Sequence, residues 1–249
     1  MKKLIIVLLL ISIGLQGAKR PNIILILSDD HGYADLGANG ISDTVKTPHL
    51  DKLAAKGARM TNGYVTAPQC SPSRAGILSA RYQQRFGLDS NEYVPYPIDE
   101  PTIAERLRDV GYTTGMVGKW HMTPHHLAKT WMAESFPEGL EENGGHPIPW
   151  KKVLPHSPIK KGFDEYFWGQ MSAYQCNFDL QGNDIPNAPK VIKNSDFRVD
   201  VQTDAALTFL KRRKNDDKPF FLYLAYYAPH VPLEAPKKYL DRFPGKMSE

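Results

Sequence analysis

The segment 70–74 (Cys-Ser-Pro-Ser-Arg) combines a nucleophile, a helix start and a cation. Pro72 suits the first position of a helix and Ser71 suits the N-cap, which would place Cys70 just ahead of a helix N-terminus. Residues 70 and 74 are about one helical turn apart, so the Arg74 guanidinium can fold back toward Cys70. Helix N-termini and guanidinium groups both bind anions. The segment therefore predicts a nucleophile that acts on a tetrahedral oxyanion.

The adjacent carboxylates Asp29 and Asp30 directly follow the apolar run 22–27. Two carboxylates that enter one crevice repel each other, so a positive group is expected beside them. Oxygen ligands favour a hard cation such as calcium or magnesium over zinc. A turn or helix-capping pair of aspartates would have the same sequence, and that alternative stays open here.

Two ordinary interpretations of Cys70 compete with the nucleophile. A cysteine-dependent phosphatase needs a longer anion-binding loop than the three residues that separate Cys70 from Arg74. A structural cysteine would not account for the Ser-Pro-Ser-Arg context. The chain contains two cysteines, and an exported protein could pair them, although the spacing does not require it. If Cys70 is consumed by other chemistry, Cys176 is left as a buried thiol.

Polar residues follow three predicted strands directly: Asp29 and Asp30 after 22–27, Lys119 and His121 after 113–117, and His230 after 220–227. Helices are predicted from Thr47 to about Gly57, from Thr102 to Gly111 with a capping box, and over 200–213. Alternating helices and buried strands predict an α/β fold, a mostly parallel sheet flanked by helices. Ligands bind at the carboxyl edge of such sheets, so these polar side chains should meet there.

The stretch between His121 and about Asp196 lacks a clear period and is rich in Pro, Gly, His and aromatic residues. We interpret it as long loops with short elements, which often carry specificity on a rigid scaffold. His125 and His126 are interpreted as loop residues within it.

Composition and charge narrow the class of protein. The 249 residues are 41% hydrophobic and 23% charged, with a formal net charge of +4. The basic run 211–214 is followed at once by Asp216 and Asp217, so nucleic acid is not an expected partner.

The start of the chain reads as an export signal. Lys2 and Lys3 precede the apolar run 4–13 and a few small residues, so residues 1–18 are predicted to be a signal peptide. The apolar run is too short for a stable membrane anchor. The predicted location is therefore periplasmic or extracellular.

Taken together, these segments resemble the type I, formylglycine-dependent sulfatases, which are arylsulfatase-like members of the alkaline-phosphatase-like superfamily. The segment 70–74 matches the family's maturation signature, in which the cysteine is oxidised to formylglycine. Further matching segments are 20–32, 47–57, 111–121, 161–164 and 228–232. The resemblance covers essentially everything after the leader.

The resemblance implies a metal site and a modified nucleophile. Asp29, Asp30 and Cys70 would bind one calcium ion. A formylglycine-generating maturation enzyme would convert Cys70, and one hydroxyl of the hydrated aldehyde would attack sulfur while the alcohol leaves. The second hydroxyl would then expel sulfate.

The resemblance also implies roles for four further residues. Arg74 would stabilise the diol and Lys119 the sulfate oxygens. His121 would assist the hydroxyl chemistry, and His230 would donate a proton to the leaving oxygen.

Residues 19–249 are then expected to be the N-terminal part of a sulfatase catalytic domain, incomplete at the C-terminus. The family's further Asp-Asn pair and sulfate-contacting lysine are not found before Glu249, so weak calcium binding is expected. The predicted reaction is hydrolysis of sulfate esters, on sulfated carbohydrates. Two alternatives stay open: a phosphatase or phosphonate-ester hydrolase of the same superfamily, and a non-catalytic binder of sulfated glycans in which Cys70 remains a thiol.

Overall fold

The structure, a computed structural model, describes residues 20–42, 44–92, 95–140 and 147–243. The predicted signal peptide lies outside the described residues. Within them, no helix is both long enough and apolar enough to span a bilayer.

The described residues form one sheet of six strands. They are β1 (Ile23–Asp29), β2 (Thr113–Gly118), β3 (Glu165–Gly169), β4 (Ala173–Cys176), β5 (Lys190–Lys193) and β6 (Phe220–Pro229). Their order in the sheet is β1-β6-β2-β3-β4-β5. The pairs β1–β6, β6–β2 and β2–β3 are parallel, whereas β3–β4 and β4–β5 are antiparallel. The predicted α/β class and mostly parallel sheet are therefore confirmed.

Helices lie on both faces of this sheet, as the pattern of apolar residues predicts. They are α1 (Pro48–Lys56), α2 (Cys70–Ser79), α3 (Ile103–Asp109), α4 (Lys129–Ser135), α5 (Trp150–Val153), α6 (Arg198–Arg212) and α7 (Lys237–Leu240). Short 3-10 helices cover Tyr33–Asp35, Gly37–Asn39, Gln83–Phe86, Pro137–Leu140, Leu154–His156 and Pro158–Lys160. The predicted helices α1, α3 and α6 are confirmed. The capping box of α3 is formed, since Glu105 N donates to Thr102 Oγ1 and Thr102 N donates to Glu105 Oε2.

The core consists of two apolar clusters, one on each face of the sheet. One cluster packs α2 and α3 against the sheet through Ala75, Leu78, Ala104, Met116, Trp120 and Tyr223. The other packs α6 against it through Val117, Phe167, Val201, Ala205, Phe209 and Leu222. Neighbouring strand residues point to opposite faces, so Met116 and Val117 serve different clusters. Each fully buried apolar side chain contributes about 1.5–3 kcal/mol, so together the clusters hold the sheet and its edge in a fixed geometry.

The apolar run 22–27 predicts a strand buried on both faces, and this prediction is wrong. Ile24 and Ile26 of β1 are 48% and 56% exposed, while Ile23, Leu25 and Leu27 pack against the core. These two side chains are exposed because β1 is the edge strand of the described sheet. Helix α6 packs over β6, β2 and β3 and does not cover β1.

The region between His121 and Asp196 contains more regular structure than its sequence indicates. It forms β3, β4 and β5 besides short helices. These strands have four or five residues each and mix aromatic, polar and charged side chains. Such short segments carry no clear period of their own, and the strands are defined by their pairing with β2 and with one another.

Candidate active site

The register of the sheet brings the predicted strand ends together. Leu27 of β1 and Gly118 of β2 both pair with Ala225 of β6, and Asp29 pairs with Pro229, so the carboxyl ends of the three strands lie at the same edge of the sheet. Gly118 has φ +95°, and a Cβ atom there would collide with the carbonyl of Ala225. A glycine at this position lets the chain turn directly after β2, which directs Lys119 into the crevice.

Asp29, Lys119 and Arg74 form a buried ionic cluster at this edge. Asp29 is 4% exposed, Lys119 and Arg74 are each 1% exposed. Arg74 lies 3.2 Å from Asp29 Oδ1, and the Lys119 ammonium donates a very short hydrogen bond to Asp29 Oδ2. Burial alone would raise the pKa of Asp29, but the charges of Arg74 and Lys119 outweigh it and the pKa is lowered. One carboxylate therefore faces two cations, which leaves a positive charge available to an anion.

Cys70 lies next to this cluster as the first residue of α2, with Gln69 as the N-cap. The predicted helix start is therefore two residues too late, since Ser71 and Pro72 lie inside the first turn. Proline is tolerated there because the first N–H groups of a helix have no intrahelical acceptor. Cys70 is half-buried, and Lys119 Nζ lies 3.5 Å from its sulfur.

Arg74 and Cys70 line the same cavity of about 260 Å³, and the Arg74 guanidinium is held by other groups around it. Besides the Asp29 carboxylate, it donates to the Lys119 carbonyl at 2.6 Å and to the Tyr223 hydroxyl at 3.4 Å. Ser71 is also buried, and its hydroxyl donates to the His121 carbonyl. The signature segment thus joins α2 to the residues that follow β2 and, through Tyr223, to β6, which positions Cys70.

Asp30 and His230 lie on the open side of the crevice. Asp30 is 59% exposed, adopts φ +61°, and lies 3.7 Å from His230 Nε2. His230 Nδ1 donates to the Val231 carbonyl at 2.7 Å, which leaves Nε2 as the ring nitrogen on the side of Asp30. One ligand atom each of Asp29, Cys70 and His230 lie within 4.8 Å of one another.

Tyr227 is a site residue that the sequence did not reveal. Its ring lies 4.6 Å from that of His230 and 4.8 Å from Lys119 Nζ. An aromatic face holds cations through its quadrupole, so Tyr227 supports both side chains. An aromatic residue three positions before a strand-end histidine is too common a pattern to single out from sequence.

His121 is separated from the Cys70 crevice and lines a second cavity. It adopts φ +58°, and its ring stacks on that of His125 with the centroids 5.9 Å apart. Burial, with the charges of Lys119 and His125 adding to it, lowers the pKa of His121 to about 3. The ring is therefore neutral at neutral pH. Hence the structure brings Cys70, Arg74, Lys119, Asp29, Asp30 and His230 together and places His121 at the border of the group.

Comparison with known proteins decides the family. A family model described as Sulfatase matches residues 21–248. The chain belongs to the sulfatase family. It is 33% identical to Arylsulfatase J of Mus musculus over 92% of its own length and 32% identical to N-acetylgalactosamine-6-sulfatase of Canis lupus familiaris over 96%. It spans 36% and 45% of those two relatives, less than half of each.

A solved structure gives the same result. The crystal structure of Ps i-CgsB in complex with k-i-k-neocarrahexaose superposes with a TM-score of 0.65 at 32% identity. The match covers 90% of this chain and 49% of that chain. The fold is accordingly the alkaline-phosphatase-like core of the sulfatases.

The other cysteine of this chain has the character that the sequence predicts. Cys176 is buried in β4 and unpaired, and burial raises the pKa of its thiol to about 12. A thiol of this kind is inert at neutral pH. Cys70 is therefore not engaged in a disulfide and remains open to modification.

The residues present fit part of a calcium site. Asp29 and Asp30 offer carboxylate oxygens, and oxidation of Cys70 would replace a soft sulfur by an oxygen, the ligand type that calcium prefers. Calcium takes about six to eight oxygens, more than these three residues supply. In the described residues, both oxygens of Asp29 already face cations, so a bound ion would share this carboxylate with Arg74 and Lys119.

Proposed function

We propose that the protein carrying this chain hydrolyses sulfate esters of carbohydrates, with residue 70 as the nucleophile after its oxidation to formylglycine. The observation that supports this most strongly is the buried Asp29–Arg74–Lys119 cluster beside Cys70, at a helix N-terminus, in a member of the sulfatase family. A maturation enzyme that recognises the 70–74 signature is the required partner.

The nucleophile derives from Cys70. The hydrated aldehyde at residue 70 supplies a hydroxyl that attacks the sulfur atom of the sulfate ester. Cys70 is half-buried and lines the crevice, so a substrate can reach this position. The N-terminus of α2 adds a partial positive charge at the same point. Both features favour the approach of an anionic ester to residue 70.

Charge stabilisation comes from Lys119 and Arg74. Lys119 Nζ lies 3.5 Å from the sulfur of Cys70, within reach of the oxygens of a sulfate group attached there. Asp29 holds both cations in place, so they need not reorganise when negative charge develops on the sulfate oxygens. Calcium bound by Asp29, Asp30 and residue 70 would supply further positive charge at the reacting oxygens.

Proton transfer is assigned to the two histidines. His230 Nε2 faces the crevice near Asp30 and Cys70, where it can give a proton to the leaving oxygen. The ring of His121 is neutral but lies outside the Cys70 crevice, so its proposed part in the hydroxyl chemistry requires the ring to move toward residue 70.

A carbohydrate substrate is supported by two similar proteins: one is named N-acetylgalactosamine-6-sulfatase, and the other was solved with k-i-k-neocarrahexaose. Export of the protein, proposed from residues 1–18, suits a substrate of this kind outside the cytoplasm.

Mass spectrometry of the Cys70 peptide tests the nucleophile, on protein made in a host that matures sulfatases. We expect the thiol-to-aldehyde mass change, together with sulfate release from 4-nitrophenyl sulfate by the matured protein, and loss of that release in Cys70→Ala. A thiol that persists in the native organism would contradict the mechanism and favour the glycan binder. Faster release of phosphate than of sulfate from matched esters would favour the phosphatase alternative.

A further inference from the structure

A second cavity lies beside the candidate active site, at the carboxyl ends of β2 and β3. It has a volume of about 500 Å³, in the range of small-molecule sites. Its walls include Trp120, His121, His125, Trp168, Gln175 and Val191. The cavity is close to the catalytic group in sequence, because His121 in its wall lies two residues after Lys119. Lys119 contacts both Asp29 and Cys70.

The walls of this cavity carry no side chain that is permanently charged at neutral pH. Among the described residues, no Lys, Arg, Asp or Glu lines it, and its titratable groups are His121, His125 and His126. Burial and the neighbouring His126 also lower the pKa of His125, so His121 and His125 are both neutral at neutral pH. The lining therefore offers aromatic faces and neutral hydrogen-bonding groups, which suit the ring and hydroxyls of a sugar.

Two nitrogen atoms in these walls lack hydrogen-bond partners. His121 Nδ1 and Trp168 Nε1 are buried, and neither meets an acceptor or donor within the described residues. Buried polar atoms normally have a partner. Both residues line the cavity, so a hydroxyl of a bound sugar is a candidate for the missing partner.

We propose that this cavity binds the sugar ring that carries the reactive sulfate and discriminates against rings that carry a second sulfate. The reactive sulfate belongs to the cationic cluster of Arg74 and Lys119, whereas a second sulfate would enter a cavity without a counter-charge. Desolvating an anion without a cation or several donors to replace water is strongly unfavourable. The proposal rests on the proposed function and adds to it a selectivity for monosulfated rings.

Binding to the Cys70→Ala protein, which cannot turn over substrate, tests this directly. Tryptophan fluorescence reports occupancy because Trp120 and Trp168 form part of the walls. The probes are galactose 6-sulfate against galactose 2,6-disulfate, and galactose 4-sulfate against galactose 2,4-disulfate. We expect at least one monosulfated sugar to bind at least about tenfold more tightly than its disulfated partner. Equal or tighter binding of the disulfated sugars, or no binding of any monosulfated sugar, would overturn the proposal.

A charge placed in the wall gives a second test with a matched control. Gln175→Lys adds a cation to the cavity, and Gln181→Lys makes the same change on an exposed turn that does not line it. Gln175→Lys should reduce the preference for the monosulfated sugar by about tenfold, and Gln181→Lys should leave the preference as it was. An unchanged preference in Gln175→Lys would place the sugar elsewhere.

Turnover of 4-nitrophenyl sulfate separates this proposal from the proposed function, because that substrate has no sugar. Aryl sulfate release without any preference between monosulfated and disulfated sugars would overturn the cavity's role and leave the sulfatase reaction intact. A preference in binding without release of sulfate from any ester would support the cavity and contradict the enzyme.

Discussion

At the scale of single residues, the carboxylate of Asp29 determines the geometry of the cluster. It is the common partner of Arg74 and Lys119, two cations that are each 1% exposed. A buried ion pair becomes strongly unfavourable when one partner is removed, because the remaining charge is left without compensation. Asp29 therefore contributes to stability as well as to the site.

Asp29→Asn should lower the free energy of unfolding by about 3–5 kcal/mol in the presence of a chelator, since two buried cations lose their counter-charge. Asp30→Asn is the matched control: Asp30 is 59% exposed, and its substitution should change stability by less than about 1 kcal/mol. Urea unfolding followed by circular dichroism measures both. Equal effects of the two substitutions would mean that Asp29 does not compensate the cations.

His121 makes stability depend on pH. Its pKa is about 3 in the folded chain and about 6.5 when unfolded, so between these values only the unfolded state binds the proton. The stabilisation is complete above pH 6.5 and is lost as the pH falls, by at most about 1.4 kcal/mol per pH unit.

Unfolding of His121→Gln between pH 7 and 5 tests this pH dependence. The variant should show a smaller decrease in unfolding free energy than the native sequence, although His125 and His156, whose pKa values are also lowered, retain part of it. Identical slopes would show that folding does not lower the pKa of His121.

Sequence reasoning identified the chemistry of these residues but not their partners. The Cys-Ser-Pro-Ser-Arg segment pointed to Cys70 and Arg74 because residue types and spacing alone carry that signal. That the Arg74 guanidinium is held by Asp29, the Lys119 carbonyl and Tyr223 depends on strands that are far apart in sequence and meet only through the sheet register. Local spacing contains no information on that register.

At the scale of secondary-structure elements, the helices can be predicted from local sequence, whereas the short strands depend on tertiary contacts. The helices α1, α3 and α6 were predictable because caps and the helical period lie within each segment. The strands β3, β4 and β5 were not, because four or five residues hold too little pattern and their pairing with β2 is tertiary. The prediction that β1 is buried on both faces is wrong for the same reason, because the sequence of a strand does not show whether a helix covers it.

Helix α3 begins at the side chain of Thr102, which caps its N-terminus. The Thr102 hydroxyl accepts from Glu105 N and donates to the Lys161 carbonyl at 2.8 Å, and Thr102 is 0% exposed. Thr102→Ala should lower the unfolding free energy by about 2 kcal/mol, through loss of the cap and a carbonyl left without its donor. Thr102→Ser keeps the hydroxyl and should retain most of that stability. Urea unfolding distinguishes the pair, and equal losses would argue against the cap.

At the scale of the whole molecule, the two faces of the sheet are covered unequally. On the face of α6, the edge strand β1 leaves Ile24 and Ile26 about half exposed, and its outer edge has no neighbouring strand among the described residues. Exposed apolar edge strands promote pairing with other chains. A chain with this surface should self-associate when it is produced alone.

Light scattering after size-exclusion chromatography, over a range of concentrations, measures that association on residues 19–249. We expect the apparent mass to rise with concentration and to return toward that of a monomer in the double variant Ile24→Lys, Ile26→Lys, because charge on an edge strand opposes pairing. Leu207→Lys is the matched control, since Leu207 is 47% exposed on α6, away from the edge. It should leave the association unchanged. A native chain that is monomeric at every concentration would show that the exposed isoleucines do not drive contact between copies.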